Sequence, residues 1–161
     1  MVPFVIRTQT LWNDDQGHRW SVQDRETERE AYDRLRCYSL THGDPAFIHQ
    51  YVVDAFMAQQ ASSDTKPIGV AFALVGLYLA VEKNYSGKHV QRVHTLLARG
   101  RKRWPTFRLP ETRGDITVRD VIDVAPGPDR DAMIRRWCAS VWEAYRESRD
   151  DVVNLLRTEL G

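Results

Sequence analysis

The longest apolar run of the chain covers residues 68–81 and contains no charged side chain. It is shorter than the roughly 20 residues that a helix needs to cross a bilayer. A short helix that is apolar on every side is typical of the centre of a bundle, where neighbouring helices surround it. The pattern therefore predicts a central buried helix that begins at Pro67.

Segments with an apolar stripe at helical spacing lie on both sides of this run. They predict helices over residues 24–41, 45–61, 86–103, 116–122 and 129–160. Asp44 is expected to cap the second helix with Pro45 at its first position, and a threonine opens the short helix over 116–122. The sequence therefore predicts a mainly α, single-domain helical bundle of five or six helices around a central apolar helix.

Residues 104–114 interrupt the helical pattern with prolines and a glycine. An irregular segment of this length has to lie against the core, and its apolar side chains, Trp104, Phe107 and Leu109, are the expected anchors. The same loop is one of two places where a partner is expected to make contact.

The amino-terminal residues follow a different period. Phe4, Ile6 and Thr8 alternate, a turn signal follows at residues 13–17, and Trp20 comes after it. Alternation on both sides of a turn is typical of a β-hairpin. We expect residues 1–23 to form a hairpin or an extended arm, with residues 24–161 forming the helical-bundle domain.

Composition excludes several classes of protein. Hydrophobic residues make up 42% and charged residues 28% of the chain, and the formal net charge is +1, so no overall field selects nucleic acid or a membrane. Cys37 and Cys138 lie far apart and form no metal-binding pair, so both are expected to be buried thiols, with a disulfide as the alternative. The first residues do not read as a secretory signal, which predicts a cytoplasmic location.

The densest polar motif lies on the second helix. His49 and Gln60 share one face of that helix, with Gln59 beside them and Asp54 off that line, so a further metal ligand would have to come from another helix, such as His94. A divalent metal held by His49, Asp54 and His94 is one hypothesis. Hydrogen bonds that orient helix ends and loops are the other, and they require no cofactor.

A basic run closes the fourth helix. Basic side chains next to an aromatic ring can hold phosphates and stack on a base. The residues of this candidate nucleic-acid site are Lys88, Arg92, Arg99, Arg101, Lys102, Arg103 and Trp104. Cations at a helix carboxyl end are also favoured by the helix dipole, so a solvated helix end is the competing interpretation.

No Gly-rich phosphate loop, no Gly-x-Ser-x-Gly elbow and no nucleophile with a base nearby stands in the sequence. The aromatic residues Trp137, Trp142 and Tyr145 fall at helical spacing and are expected to be core residues. An enzyme is therefore not favoured, and no catalytic residue is predicted.

Two stretches resemble a bacterial family known as domain of unknown function 5946. They are His49-x-x-x-Val53-Asp54-Ala-Phe56-x-x-Gln59-Gln60 and Ile116-Thr-Val-x-Asp120-Val followed by Trp137-Cys-x-Ser140-Val-Trp142. Many members carry an amino-terminal cysteine pair suited to zinc, which this chain lacks, and it has Gln60 where the family tends to place histidine. Of a zinc ligand set, the resemblance leaves His49 and Asp54.

These patterns lead to a ranked set of functions. The first is a non-enzymatic module that works by contact with another protein, through residues 1–23 or through the loop over 104–114. The second is a metal or small-molecule site near His49 and Asp54. The third is nucleic-acid binding through the basic run, and no membrane partner is expected.

Overall fold

The fold is described from a computed structural model, which gives the side chains of residues 26–100 and 103–161 and the backbone of two short strands before them. The strands β1 and β2 pair antiparallel, with Trp12 opposite Trp20. In chain order the elements are β1 (Trp12–Asn13), β2 (Arg19–Trp20), α1 (Glu28–Thr41), α2 (His49–Gln60), α3 (Pro67–Val81), α4 (Gly87–Gly100), α5 (Val118–Asp123), α6 (Pro128–Ala144) and α7 (Arg149–Leu160). The helical bundle and the antiparallel pairing are confirmed; the rest of residues 1–25 lies outside the described part.

The central helix is the one that the apolar run predicts. α3 begins with Pro67 as its first residue, and its side chains between Val70 and Leu79 are buried except for the half-buried Phe72. It packs against α2, α4, α6 and α7. A helix surrounded in this way has no solvent face, which explains why its sequence carries no charge. No helix in the described ranges is long and apolar enough to span a membrane.

Two capping boxes fix the starts of α1 and α5. The Thr27 hydroxyl accepts from the Glu30 backbone N–H while the Glu30 carboxylate accepts from the Thr27 N–H. Thr117 and Asp120 form the same reciprocal pair before α5. Each box satisfies two donors that a helix start otherwise leaves unpaired, so the threonine cap expected at α5 is confirmed.

The start of α2 differs from the prediction. Asp44 does cap backbone donors, at 2.8 Å from the N–H groups of Ala46 and Ile48, but the chain forms a turn there and the helix begins at His49. Phe47 takes a left-handed φ of 60°, which interrupts the helix. The turn packs on the first residues of α4, where Lys88 donates its N–H to the Ala46 carbonyl at 3.0 Å. This tertiary contact overrides the local capping signal.

The helix predicted over residues 129–160 is divided in two. α6 ends at Ala144, a 3₁₀ turn over Arg146–Ser148 follows, and α7 begins at Arg149. The buried Tyr145 donates its hydroxyl to the Ala58 carbonyl of α2 at 2.6 Å and marks the bend. The bend lets α7 pack on α3 and α4, which a straight continuation of α6 would not reach.

The loop between α4 and α5 is anchored by its apolar residues. Phe107 is buried, and Trp104 and Leu109 pack partly buried against the core. Trp104 meets the ring of Phe72 edge-on, with centroids 5.0 Å apart. The anchors are confirmed, and because they point inward the loop exposes its polar residues instead. The core aromatic residues are confirmed as well, since Trp137, Trp142 and Tyr145 are buried.

Candidate functional site

One glutamine holds the loop after residue 110 against two helices. The Gln59 side-chain amide, at the end of α2, donates to the carbonyls of Arg113 at 3.0 Å and Ile116 at 2.8 Å. Its oxygen accepts from the indole N–H of the fully buried Trp137 at 2.9 Å. The guanidinium of Arg113 returns a hydrogen bond to the Gln59 backbone carbonyl at 3.2 Å. All polar atoms of the Gln59 amide group therefore serve to fix this loop.

Ser140 of α6 fixes the same loop from the other side. Its hydroxyl oxygen accepts from the backbone N–H groups of Asp115 at 2.8 Å and Ile116 at 3.3 Å. Gly114 makes this approach possible, because a Cβ there would stand 2.7 Å from the Ser140 hydroxyl and its φ of +96° disfavours other residues. The loop is thus pinned between α2 and α6 by residues of both family-like stretches.

The pinned loop forms one wall of a wide surface groove. The groove has a volume of about 860 Å³ and lies between residues 108–116 and residues 136–148, at the carboxyl end of α6. We call it the α6 groove. Its walls carry both signs of charge, and no histidine or cysteine is among the described residues that line it.

The structure separates the predicted metal ligands. Asp54 is buried and accepts from the Gln50 amide at 3.1 Å, and that amide lies 3.5 Å from Nδ1 of His94. His94 donates through Nε2 to the Phe72 carbonyl at 2.9 Å. His49 bonds elsewhere, through Nδ1 to the Ser39 hydroxyl at 2.8 Å. Asp54 and His94 therefore belong to one network, and His49 to a different one.

Burial decides the protonation of these groups. It raises the pKa of Asp54 well above its ordinary value, and the Gln50 hydrogen bond only partly opposes this. Burial lowers the pKa of His94, against a smaller opposite effect of the Phe72 carbonyl. It also lowers the pKa of His49, helped by the nearby Arg36 charge. These directions favour a neutral acid and neutral imidazoles inside the bundle.

A metal at His49, Asp54 and His94 stays a prediction. In the part of the chain that the structure describes, no three His, Cys, Asp or Glu side chains are grouped so that they could hold a metal ion. Elemental analysis of purified protein is its direct check. Gln60, the fourth residue of the predicted polar motif, is exposed at the end of α2.

The cysteine prediction is half wrong. Both thiols are free, and Cys138 is buried, where it donates to the Tyr51 carbonyl at 3.6 Å and burial raises its pKa. Cys37 is exposed, because α1 turns that side toward solvent while Ala31, Leu35 and Ser39 face the core. A disulfide between the two is absent.

The structure describes part of the basic run. Lys88, Arg92 and Arg99 are exposed on α4, and Arg103 is exposed just after it. Arg101 and Lys102 lie outside the described residues. Trp104 is half-buried and meets the ring of Phe72 edge-on. Nucleic-acid binding by this set of residues stays a prediction.

Sequence reasoning missed several residues that organise the site. Gln50 stands four residues before Asp54, a spacing that brings two side chains together on a helix, so this pair could have been found. Arg113 and Gly114 carry no comparable signal, since their contacts depend on how α6 approaches the loop. Arg136 lines the α6 groove and was indistinguishable in sequence from the other arginines of α6.

Comparison with known proteins gives one result. No curated protein and no solved structure was found to match the chain. The model of one family, described as a family of unknown function, matches residues 25–146, which is most of the chain and includes both family-like stretches. The chain belongs to the family of unknown function DUF5946.

Proposed function

We propose that this protein is a helical interaction module that binds an extended, charged segment of a partner protein in the α6 groove. The observation that carries the proposal is the fixed wall of that groove. Gln59 and Ser140 hold the loop by hydrogen bonds to the backbone of Arg113, Asp115 and Ile116. A recognition surface that is already ordered loses less entropy when a partner binds.

The charges of the groove suit a segment that carries both signs. Arg108 pairs with Glu147 at 3.4 Å and Arg146 with Glu143 at 3.0 Å, and all four side chains are at least 70% exposed. Exposed pairs of this kind contribute little to stability, so charges of a partner can replace them at small cost. Within the described chain Arg136 forms no ion pair, which leaves its guanidinium free for a carboxylate of the partner.

The apolar anchors of the loop support the same assignment. Trp104 and Leu109 face the core, and most of the residues that line the groove are polar or charged, with Pro110, Ile116 and Ala144 among them. A mixed lining of this kind is typical of a transient contact rather than a permanent subunit interface. The hydroxyl of Ser140 already accepts two backbone N–H groups. Its role in the groove is therefore to hold the wall.

Selection from a random peptide library tests the proposal. We expect enrichment of peptides that contain acidic residues and whose binding drops at least tenfold in Arg136→Glu. Arg135→Glu is the matched control, because Arg135 is also exposed and adjacent in α6 but does not line the groove. Peptides that bind both variants equally well, or no enrichment at all from a folded protein, would remove the proposal.

Nucleic-acid binding through α4 is the second candidate function. The exposed Lys88, Arg92 and Arg99 are spaced by four and seven residues, which places them along one face of the helix. The expected result is a mobility shift of RNA or DNA that weakens with salt and is lost in Arg92→Glu but kept in Arg135→Glu. The absence of a shift at low salt contradicts it.

A further inference from the structure

One face of α4 is exposed, and the helix carries no acidic residue. Helical geometry places five exposed side chains within an arc of about 100° on this face. They are Lys88, His89, Arg92, Leu96 and Arg99. The opposite side of the helix, with Val90 and Leu97, is buried in the bundle. We call the five exposed residues the α4 surface.

The cations of the α4 surface are not paired with acidic groups. Within the ranges that the structure describes, Lys88, Arg92 and Arg99 form no ion pair. Lys88 lies in the first turn of α4, where the helix dipole disfavours a cation and no acidic residue offsets it. The dipole favours only Arg99, in the last turn. These charges therefore suit an anionic partner better than they suit the helix itself.

An exposed aromatic pair stands at the amino-terminal end of the α4 surface. Tyr85, just before the helix, is 39% exposed, and its ring meets that of His89 edge-on with centroids 5.9 Å apart. The Tyr85 backbone is fixed, since its carbonyl accepts from the Tyr51 hydroxyl and its N–H donates to the Leu79 carbonyl at 2.9 Å. An exposed ring beside cations is the combination that stacks on a base while the cations hold phosphates.

The mixture of side chains selects the kind of polyanion. In a duplex the base faces are stacked on each other, so a protein ring can reach them only by unstacking them. In a single strand each base has a face to offer to Tyr85. An anionic membrane requires a broad apolar face beside the cations. Leu96, 51% exposed between Arg92 and Arg99, is the one aliphatic side chain of the α4 surface.

We infer that the α4 surface binds single-stranded nucleic acid, with one base stacked on Tyr85 and successive phosphates on its three cations. The inference rests on the second candidate function and specifies its ligand. From Lys88 to Arg99 the cations extend over about 16 Å of the helix axis, so they contact more than one nucleotide. Three phosphate contacts on a single strand predict that the logarithm of the affinity falls with the logarithm of the salt concentration with a slope of about −2.

Fluorescence anisotropy tests the inference on the full chain, with a labelled oligothymidine of about 12 nucleotides and a duplex of the same length. We expect the single strand to bind more tightly. Tyr85→Leu removes the ring but keeps an apolar side chain, and it should raise the Kd of the single strand about fivefold or more, as the loss of one stacked base predicts. Tyr85→Phe is the matched control, because it keeps the ring, and it should bind like wild type.

The results separate this inference from the candidate function on which it rests. A duplex bound as tightly as the single strand, or wild-type binding by Tyr85→Leu, would overturn the inference and leave nucleic-acid binding by α4 in place. No binding of either at low salt, by protein that is folded, would overturn both. Phosphatidylserine vesicles that displace the bound oligothymidine would show that the surface prefers a membrane and would overturn the inference as well.

An oligouridine of the same length distinguishes the two sources of a single strand. Tighter binding of the oligothymidine assigns the ligand to DNA, and tighter binding of the oligouridine assigns it to RNA. Both results support the inference, provided that Tyr85→Leu weakens the tighter complex.

Discussion

α2 and α3 approach closely where Asp54 meets Gly76. A Cβ on Gly76 would stand 1.9 Å from Oδ2 and 2.5 Å from Cγ of Asp54. Both residues are buried, and the Asp54 carboxyl is held on its other oxygen by Gln50. The side chain therefore has little room to move away, and we expect Gly76→Ala to destabilise the fold.

The loss of unfolding free energy in Gly76→Ala follows from two opposing effects. Alanine is better than glycine inside a helix by about 1 kcal/mol. Forcing an extra methyl group into a packed core costs about 1–3 kcal/mol, and a clash that reaches Cγ belongs at the upper end. The net loss is then about 2 kcal/mol, which for a chain of this length lowers Tm by about 4–8 °C.

Urea unfolding of a double-mutant cycle checks the cause. In an Asp54→Ala background the clashing carboxyl group is gone, and only the Asp54 Cβ, at 3.2 Å, remains close to the new methyl. Most of the cost of Gly76→Ala should then disappear, because the helix advantage of alanine, about 1 kcal/mol, is opposed only by this Cβ contact, which gives a coupling energy of about 2 kcal/mol. If Gly76→Ala costs the same in both backgrounds, the Asp54 contact is not what excludes a side chain at position 76.

Three further outcomes are expected. Gln59→Ala should lower the unfolding free energy by about 2–3 kcal/mol, because it leaves the buried indole N–H of Trp137 without an acceptor; urea unfolding that matches wild type refutes this. In a thiol-labelling assay Cys37 should react in the folded protein and Cys138 only after unfolding, and labelling of both under native conditions contradicts the burial of the second. Burial raises the pKa of Asp54 in the folded state, so as pH rises the unfolded chain loses this proton first. The unfolding free energy, measured relative to that of Asp54→Asn, should therefore fall as pH rises above about 4, by up to about 1.4 kcal/mol per pH unit. A difference between the two proteins that does not change with pH refutes a neutral carboxyl group at Asp54.

The sequence correctly predicted those helix starts that depend only on the residues at the start itself. Pro67 begins α3 and Thr117 caps α5 because proline and threonine at helix starts need only neighbouring backbone groups. The two errors in the helices have a different origin. Asp44 looks like a cap, yet the approach of α4 holds a turn there, and the bend at Tyr145 has no glycine or proline to mark it, since a hydrogen bond to α2 decides it.

In the candidate site, too, contacts between elements distant in sequence could not be predicted. Gln59 was among the candidate residues, and Ser140 stands in the second family-like stretch without having been singled out. Their common target is the loop backbone, which no pattern of side chains reveals. His49 and Asp54 stand in the same motif and were expected to act together. Five residues along a helix turn them about 140° apart, and each finds a different neighbour.

The buried network and the pinned loop can be tested separately because they use different faces of α2. Asp54 faces α3, and its contacts run through Gln50 to α4, whereas Gln59 faces the loop and α6. A substitution of Asp54 should therefore change stability and leave binding in the α6 groove intact. Gln59→Ala frees the wall of the α6 groove, so it should weaken binding there. Loss of groove binding with Asp54→Asn in a folded protein would show that the two faces are coupled through α2, and the groove could then not be treated as an independent site.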